Sequence, residues 1–224
     1  MANRESFALD EWYHCYSRGV DKRTVFEDES DFKRFEHLLY LCNSMTPVHR
    51  SAFTNKISDS QLYQTPRGEA LVVIGAYCLM PNHFHLLMRE VREGGLSEFM
   101  RKIGIAYAMY FNVKRERVGN LFVKPFRSKH VSADDYFKRV AQYIHLNPTE
   151  LFEPGWKTGR VQSFPSLKGR LRSYAYSSLP DYLGEKREQF AILDQEAFQL
   201  IGGEMPAIEE ILLETLLYYR DLQA

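Results

Sequence analysis

The chain has 224 residues, 45% of them hydrophobic and 26% charged, which suits a globular protein with a sizeable core and excludes a disordered or fibrous chain. Its longest uninterrupted apolar run, residues 70–80, is too short to span a bilayer, and the widely spaced Cys15, Cys42 and Cys78 argue against a disulfide framework or a cysteine metal site. Basic and acidic residues balance at 29 each, yet residues 101–145 hold ten Lys and Arg against three acids, an asymmetry that favours a polyanion-binding face over an ordinary solvated surface.

The N-terminal residues lack the apolar core of a secretory signal, so a cytoplasmic location is expected. Residues 11–18 are aromatic-rich and alternate roughly in polarity before stopping at Gly19, which predicts a strand. The acid and serine cluster at 28–31 then supplies N-cap candidates for a helix whose core face is Phe32, Phe35, Leu38, Leu39 and Cys42. Residues 46–69 show no sustained period and read as a long irregular connection in which His49 is expected to face solvent.

A strand at 70–79 and a second from His83 to Glu90 are joined by Met80-Pro81-Asn82, short enough for an antiparallel hairpin. A long helix follows, from Leu96 to Lys114, with Phe99, Ile103, Tyr107 and Tyr110 or Phe111 recurring every three to four residues. Its other face carries Arg101, Lys102, Lys114 and Arg115. Residues 121–131 read as an irregular strand on which Lys124, Arg127 and Lys129 turn to one side. Ser132, Ala133, Asp134 and Asp135 have the form of a helix start, and Pro148 ends that helix. Beyond it the pattern weakens toward a tail, residues 183–224, with nine acids, three bases and a helical spacing at Ile208, Ile211, Leu212 and Thr215. The division expected is a domain over 1–150 and an extension over 151–224 with an acidic helical tail.

Two places suggest chemistry. On a strand, His83 and His85 project from one face about 7 Å apart while Phe84 enters the core. Such a pair can share a metal ion, although two strand histidines without a ligand look the same in sequence. On the helix before Pro148, Phe137, Val140, Ala141 and Ile144 form the core stripe, and Tyr143 and Asn147 stack one turn apart along its edge. His145 points to the other side. For phosphate contacts the choice falls on Arg101, Lys102, Lys124, Arg127 and Lys129. Phe122 and Phe126 are candidate stacking surfaces for bases, whereas Tyr107 and Tyr110, at helical spacing, read better as core.

Four blocks together carry a resemblance: Tyr13-His14 with Ser17-Arg18-Gly19, Leu79-Met80-Pro81-Asn82-His83-Phe84-His85-Leu86-Leu87, Gly119-Asn120-Leu121-Phe122, and Tyr143-Ile144-His145-Leu146-Asn147-Pro148. In this order over about residues 11–180 they resemble the single-tyrosine HUH transposases of the IS200-like type, and among those the REP-associated tyrosine transposases. The resemblance implies an α+β fold, ferredoxin-like or RRM-like, with an antiparallel sheet and helices on one face. It implies His83, His85 and Asn147 as ligands of a divalent metal, Tyr143 as nucleophile, and Arg18 as a further DNA contact. Two imidazoles and an amide oxygen suit Mg²⁺ or Mn²⁺, and imidazole also suits Zn²⁺.

The activity implied is cleavage and rejoining of single-stranded or hairpin DNA, REP-like elements included, through a 5′-phosphotyrosine, by a monomer or homodimer associated with the nucleoid. The alternative from a different class is a catalytically silent DNA or RNA hairpin-binding protein of the same fold. Pro125, the length of 46–69 and the acidic tail depart from the family pattern.

Overall fold

A computed structural model of the chain describes residues 7–47, 57–131, 134–158, 160–202 and 210–214. His49, Ser132, Ala133, Ile208 and Thr215, used in the expectations above, lie outside them. The chain opens with β1 (Trp12–Arg18) and α1 (Glu29–Leu41), and a short α2 (Asp59–Tyr63) follows in the long connection. Then come β2 (Val72–Met80), β3 (His83–Glu90), α3 (Gly95–Lys114), β4 (Arg127–Val131) and α4 (Asp134–Leu146). After α4 are α5 (Thr149–Phe152), α6 (Phe164–Arg172), α7 (Leu179–Tyr182) and α8 (Gln195–Gly202), with 3-10 turns at Trp156–Thr158 and Glu188–Ile192.

The strands form one antiparallel sheet in the order β2-β3-β1-β4. With α1 and α3 as the crossovers, this is the ferredoxin-like alternation, so the expected fold class holds. The β2–β3 hairpin pairs Met80 with His83 across a two-residue turn, and the strand expected from His83 to Glu90 has those bounds. The hairpin tip is pinned, because the Pro81 carbonyl accepts from the amides of Val25 and Phe26 at 2.8 and 3.0 Å and the Gly19 amide donates to the Asn82 carbonyl at 2.9 Å. Gly19 has to be glycine, since a Cβ there would collide with the Arg23 carbonyl oxygen.

Strand alternation divides the side chains between two layers. Tyr13, Cys15, Phe84, Leu86 and Met88 join Phe35, Leu38, Phe99, Ile103, Tyr107 and Phe111 in one core beneath α1 and α3. Ala76, Cys78, Met80, Leu87 and Val131 face the other way, against Phe137, Val140, Ala141 and Ile144 of α4 and Ile201 of α8. The expectation of helices on one face describes α1 and α3, and the added helices α4 and α8 cover part of the second face. A third cluster, Leu146, Trp156, Leu167, Leu171, Leu179, Ile211 and Leu212, ties α6 and α7 to the end of α4.

Several bases have structural work. Asp28 caps α1 in a reciprocal capping box with Asp31. Lys114 Nζ, at the end of α3, lies 2.8 Å from Asp28 Oδ1 and 2.7 Å from Asp31 Oδ1, and Arg115 joins the same pair of acids. This network holds both carboxyls below their ordinary range and lashes the two helices together. Lys102 Nζ donates to the carbonyls of Ser44 and Thr46, at 2.5 and 3.1 Å, which closes the chain after α1. The positive stretch is therefore smaller as a surface than as a count of residues.

Two further expectations change. Within 46–69, Ser58 caps α2 in a capping box with Gln61, so that part of the connection is ordered locally. The strand expected over 121–131 is only Arg127–Val131. Phe122 makes an isolated bridge to Gly19, and Pro125, which has no amide to donate, stands between that bridge and β4.

Candidate active site

Directly opposed residues of antiparallel strands share a face. His83 opposes Arg18, His85 opposes Tyr16, and across β1 Tyr16 opposes Arg127 and His14 opposes Lys129. The His83-x-His85 step therefore lies on the α4 face, with Arg18, Arg127 and Lys129 in the same layer. Arg101 and Lys102 are on α3, behind the other face. The structure places them on the opposite side of the sheet from the histidines. Lys124 is exposed in the turn before β4 and off the strand. Phe122 is buried, and Phe126 packs partly buried against the α1/α3 core. Tyr107 is fully buried and donates to the Val25 carbonyl at 2.5 Å, and Tyr110 donates to Asp31 Oδ1 at 3.0 Å. These aromatics belong to the core and its rim.

Helix α4 delivers the other half. The ring of Tyr143 sits edge-on to both His14 and His85, with centroids 5.8 Å away in each case. Tyr143 is 37% exposed. Asn147, one turn further, lies beside His83. Its amide N–H donates to the carbonyls of Tyr143 and Ile144 at 2.9 and 3.4 Å, which leaves its Oδ1 lone pairs for another partner. His145 is on the far side of the helix, buried, with its Nε2 2.8 Å from Ser178 Oγ.

The imidazoles are oriented by neighbours. Asn82 Oδ1 can only accept, so its 2.6 Å contact with His83 Nδ1 puts the proton there and leaves Nε2 with a lone pair. His85 Nδ1 is 2.8 Å from His14 Nε2, and proton donation by Nδ1 in that contact frees the other nitrogen of His85. Tyr16 stacks on the His85 ring at 5.5 Å. Burial, reinforced by Arg18 and Lys157, lowers His83 to about 4. Burial and then Lys129 lower His14 to about 4, and burial above all puts His85 well below its usual value. All three are thus neutral near pH 7, the state in which imidazole binds a cation.

Among the described residues no three His, Cys, Asp or Glu side chains converge as a metal site. His83 and His85 offer two neutral imidazoles and Asn147 an amide oxygen beside them, a donor set of the kind that suits a divalent cation.

His14, Tyr16, Asn82 and Lys157 were missed as site residues in the sequence. For the first two, the signal was available in the alternation of β1, which sends His14 and Tyr16 to one face. Lys157 comes from beyond Pro148, close enough to Arg18, His83 and His85 to disfavour positive charge on each histidine, and it pairs with Glu150.

The family described as IS200-like transposases matches residues 36–147, half of the chain, a span that holds His83, His85, Tyr143 and Asn147. The chain belongs to the IS200-like transposase family. A solved structure of a REP-associated tyrosine transposase bound to a REP hairpin is similar to this transposase-family chain at 13% identity. It has a TM-score of 0.50 and the match covers 88% of this chain and 96% of that one. At that identity the likeness is one of fold. No curated protein matches the chain significantly. The fold likeness covers more of the chain than the family match does.

Proposed function

We propose that this protein is a metal-dependent endonuclease and strand transferase that cuts single-stranded or hairpin DNA with Tyr143 as the nucleophile. The observation that carries the reading is the meeting of Tyr143 with His85, at 5.8 Å between rings, while Asn147 reaches His83 from the same helix. Nucleophile and cation donors occupy one face of one sheet. Membership in a transposase family and a similar structure bound to a REP hairpin support DNA as the partner.

His83, His85 and Asn147 are the residues to hold the ion, Mg²⁺ or Mn²⁺. When bound, a divalent ion supplies Lewis-acid polarisation of the scissile phosphate. Tyr143 loses its phenolic proton as its oxygen bonds to phosphorus. The bond to the 3′ oxygen breaks, that oxygen leaves as a 3′-OH after taking up a proton, and the 5′ phosphate stays on Tyr143. Attack by the 3′-OH on the phosphotyrosine reverses the step and rejoins the strand. Arg18, Arg127, Lys129 and Lys157 offset the charge of the DNA backbone around this centre, and Tyr16, His14 and Asn82 keep the histidine rings in place.

The test is incubation with hairpin DNA and Mn²⁺ followed by a denaturing gel. Wild type forms a covalent protein–DNA adduct, and Tyr143→Phe forms at least about 10³-fold less while binding DNA as tightly. An adduct undiminished in Tyr143→Phe moves the nucleophile elsewhere. Tight DNA binding by the wild type with no adduct under any metal turns the assignment to a silent hairpin-binding protein.

A further inference from the structure

A second feature with nucleic-acid chemistry lies outside the site described. Residues 154–180 contain Lys157, Arg160, Lys168, Arg170 and Arg172 and no Asp or Glu. Helix α6 gathers three of these bases. Ser163 caps its start, accepting from the Ser166 amide, while Leu167 and Leu171 are buried in the cluster at the end of α4. That anchoring fixes which face of α6 looks outward.

On the outward face Phe164, Lys168 and Arg172 follow one another at four-residue spacing, and Pro165 and Gly169 make a parallel row beside them. These five residues line a cavity of about 400 Å³. A Cβ at Gly169 would meet nothing within 4 Å, so the cleft is open there. Phe164 packs with part of its ring against the buried cluster and keeps the rest toward the cleft. The cavity has the volume of a small-ligand site, with one aromatic wall and two cations a helical turn apart, about 6 Å along the axis.

We infer that this cleft is a nucleotide subsite, in which an unpaired base of single-stranded DNA stacks on Phe164 while Lys168 and Arg172 each take a phosphate. An aromatic platform beside cations is how proteins bind single strands without reading sequence. The occupant is a nucleic acid rather than an acidic membrane surface, because an aromatic ring in line with two cations matches a base followed by its phosphates. Lys157, from the same acid-free segment, stands near Arg18, His83 and His85. The inference rests on the DNA partner proposed above and adds a second place where the strand is held, beyond the reacting phosphate.

The experiment measures binding of the full chain to fluorescent single-stranded DNA across a salt series. Lys168→Ala/Arg172→Ala is expected to weaken binding at least about tenfold and to flatten the slope of log K against log salt by about 1.4, the equivalent of two phosphate contacts. Phe164→Ala is expected to weaken it about 5- to 150-fold with the wild-type slope, and Phe164→Trp to restore it. Lys33→Glu, an exposed change on α1, is the charge control. Groove variants that fold, by their melting curves, and bind like wild type overturn the subsite, as does binding to anionic vesicles that these variants lose while DNA affinity stays. The adduct assay separates the two proposals. A wild type without adduct but with groove-dependent binding sinks the catalytic reading alone, and adduct formation with unaltered binding in the groove variants sinks the subsite alone.

Discussion

The two faces of the sheet are made from the same strands and have opposite characters. Under α1 and α3, β3 contributes Phe84, Leu86 and Met88 to a dry aromatic core in which Phe122 meets Phe35 and Phe84 edge to face and Phe35 tilts against Phe84. Toward α4 the same strand contributes His83, His85 and Leu87 to a layer of imidazoles, a tyrosine edge and nearby cations. One face stores the stability that the other spends, because buried imidazoles are costly to keep in a cleft where a core could have formed. The fold tolerates the polar face because the aromatic one is closely packed.

The largest effect should come from breaking the dry side. Phe84 is 2% exposed and touches aromatic rings from α1 and from the segment before β4. Phe84→Ala is expected to lower unfolding free energy by about 3–5 kcal/mol, read as a drop in the urea midpoint, because it leaves a cavity among rings that cannot collapse. At low temperature, with the protein still folded, adduct formation should persist. A loss below about 1 kcal/mol would mean that the two faces share the burden of stability more evenly than the packing indicates.

The faces should also respond to pH with opposite sign. Glu36 is buried beneath Tyr77, which donates to it at 3.0 Å, and burial raises its carboxyl from 4.5 to about 7. The native state therefore holds a proton there that the unfolded chain releases, and the associated stability is complete below about pH 4.5 and lost as pH rises through about 7. The histidines act conversely. His14 and His83, lowered from 6.5 to about 4, give stability that is complete above 6.5 and lost as pH falls toward 4. Glu36→Gln removes the first dependence on pH and leaves the second. Between about pH 5.5 and 8 the wild type should lose about 2 kcal/mol more than Glu36→Gln. Parallel pH profiles of the two proteins would refute a protonated Glu36.

Much of this division was legible before any coordinates. Alternation in a strand of defined ends separates His83 and His85 from Phe84, and helical periodicity brings Tyr143 and Asn147 to one edge. Both are local rules, and both held in the positions of these side chains. The basic stretch was less legible because charge counts carry no partners. Lys102, Lys114 and Arg115 are fastened to carbonyls and acids from α1 and its end, which are distant in sequence. Arg101 shares a stretch with Arg127 yet lies behind the sheet. Lys157 and the α6 groove escaped notice because their segment is short, rich in Gly and Pro, and without periodicity. Tertiary packing on Leu146 and Trp156 gives it a place, and no local pattern reports that.

The smallest expected effect sharpens the polar face itself. His14 has no assigned contact with substrate or ion; its Nε2 lies 2.8 Å from His85 Nδ1, and with the proton on Nδ1 it is the acceptor that orients the His85 ring. Neighbours of this kind set the orientation and basicity of a ligating imidazole, and their loss typically weakens metal affinity about 10- to 100-fold. His14→Phe keeps an aromatic ring against Tyr16 and Tyr143 but offers no acceptor, so Mn²⁺ binding measured by calorimetry should weaken by about that factor. His14→Gln, which restores an acceptor oxygen, should recover part of it. A structural role alone would lower the melting temperature of both variants and leave their Mn²⁺ affinities equal. If His14→Phe binds Mn²⁺ as tightly as wild type, His85 does not depend on β1 for its orientation, and the polar face is built by β3 and α4 alone.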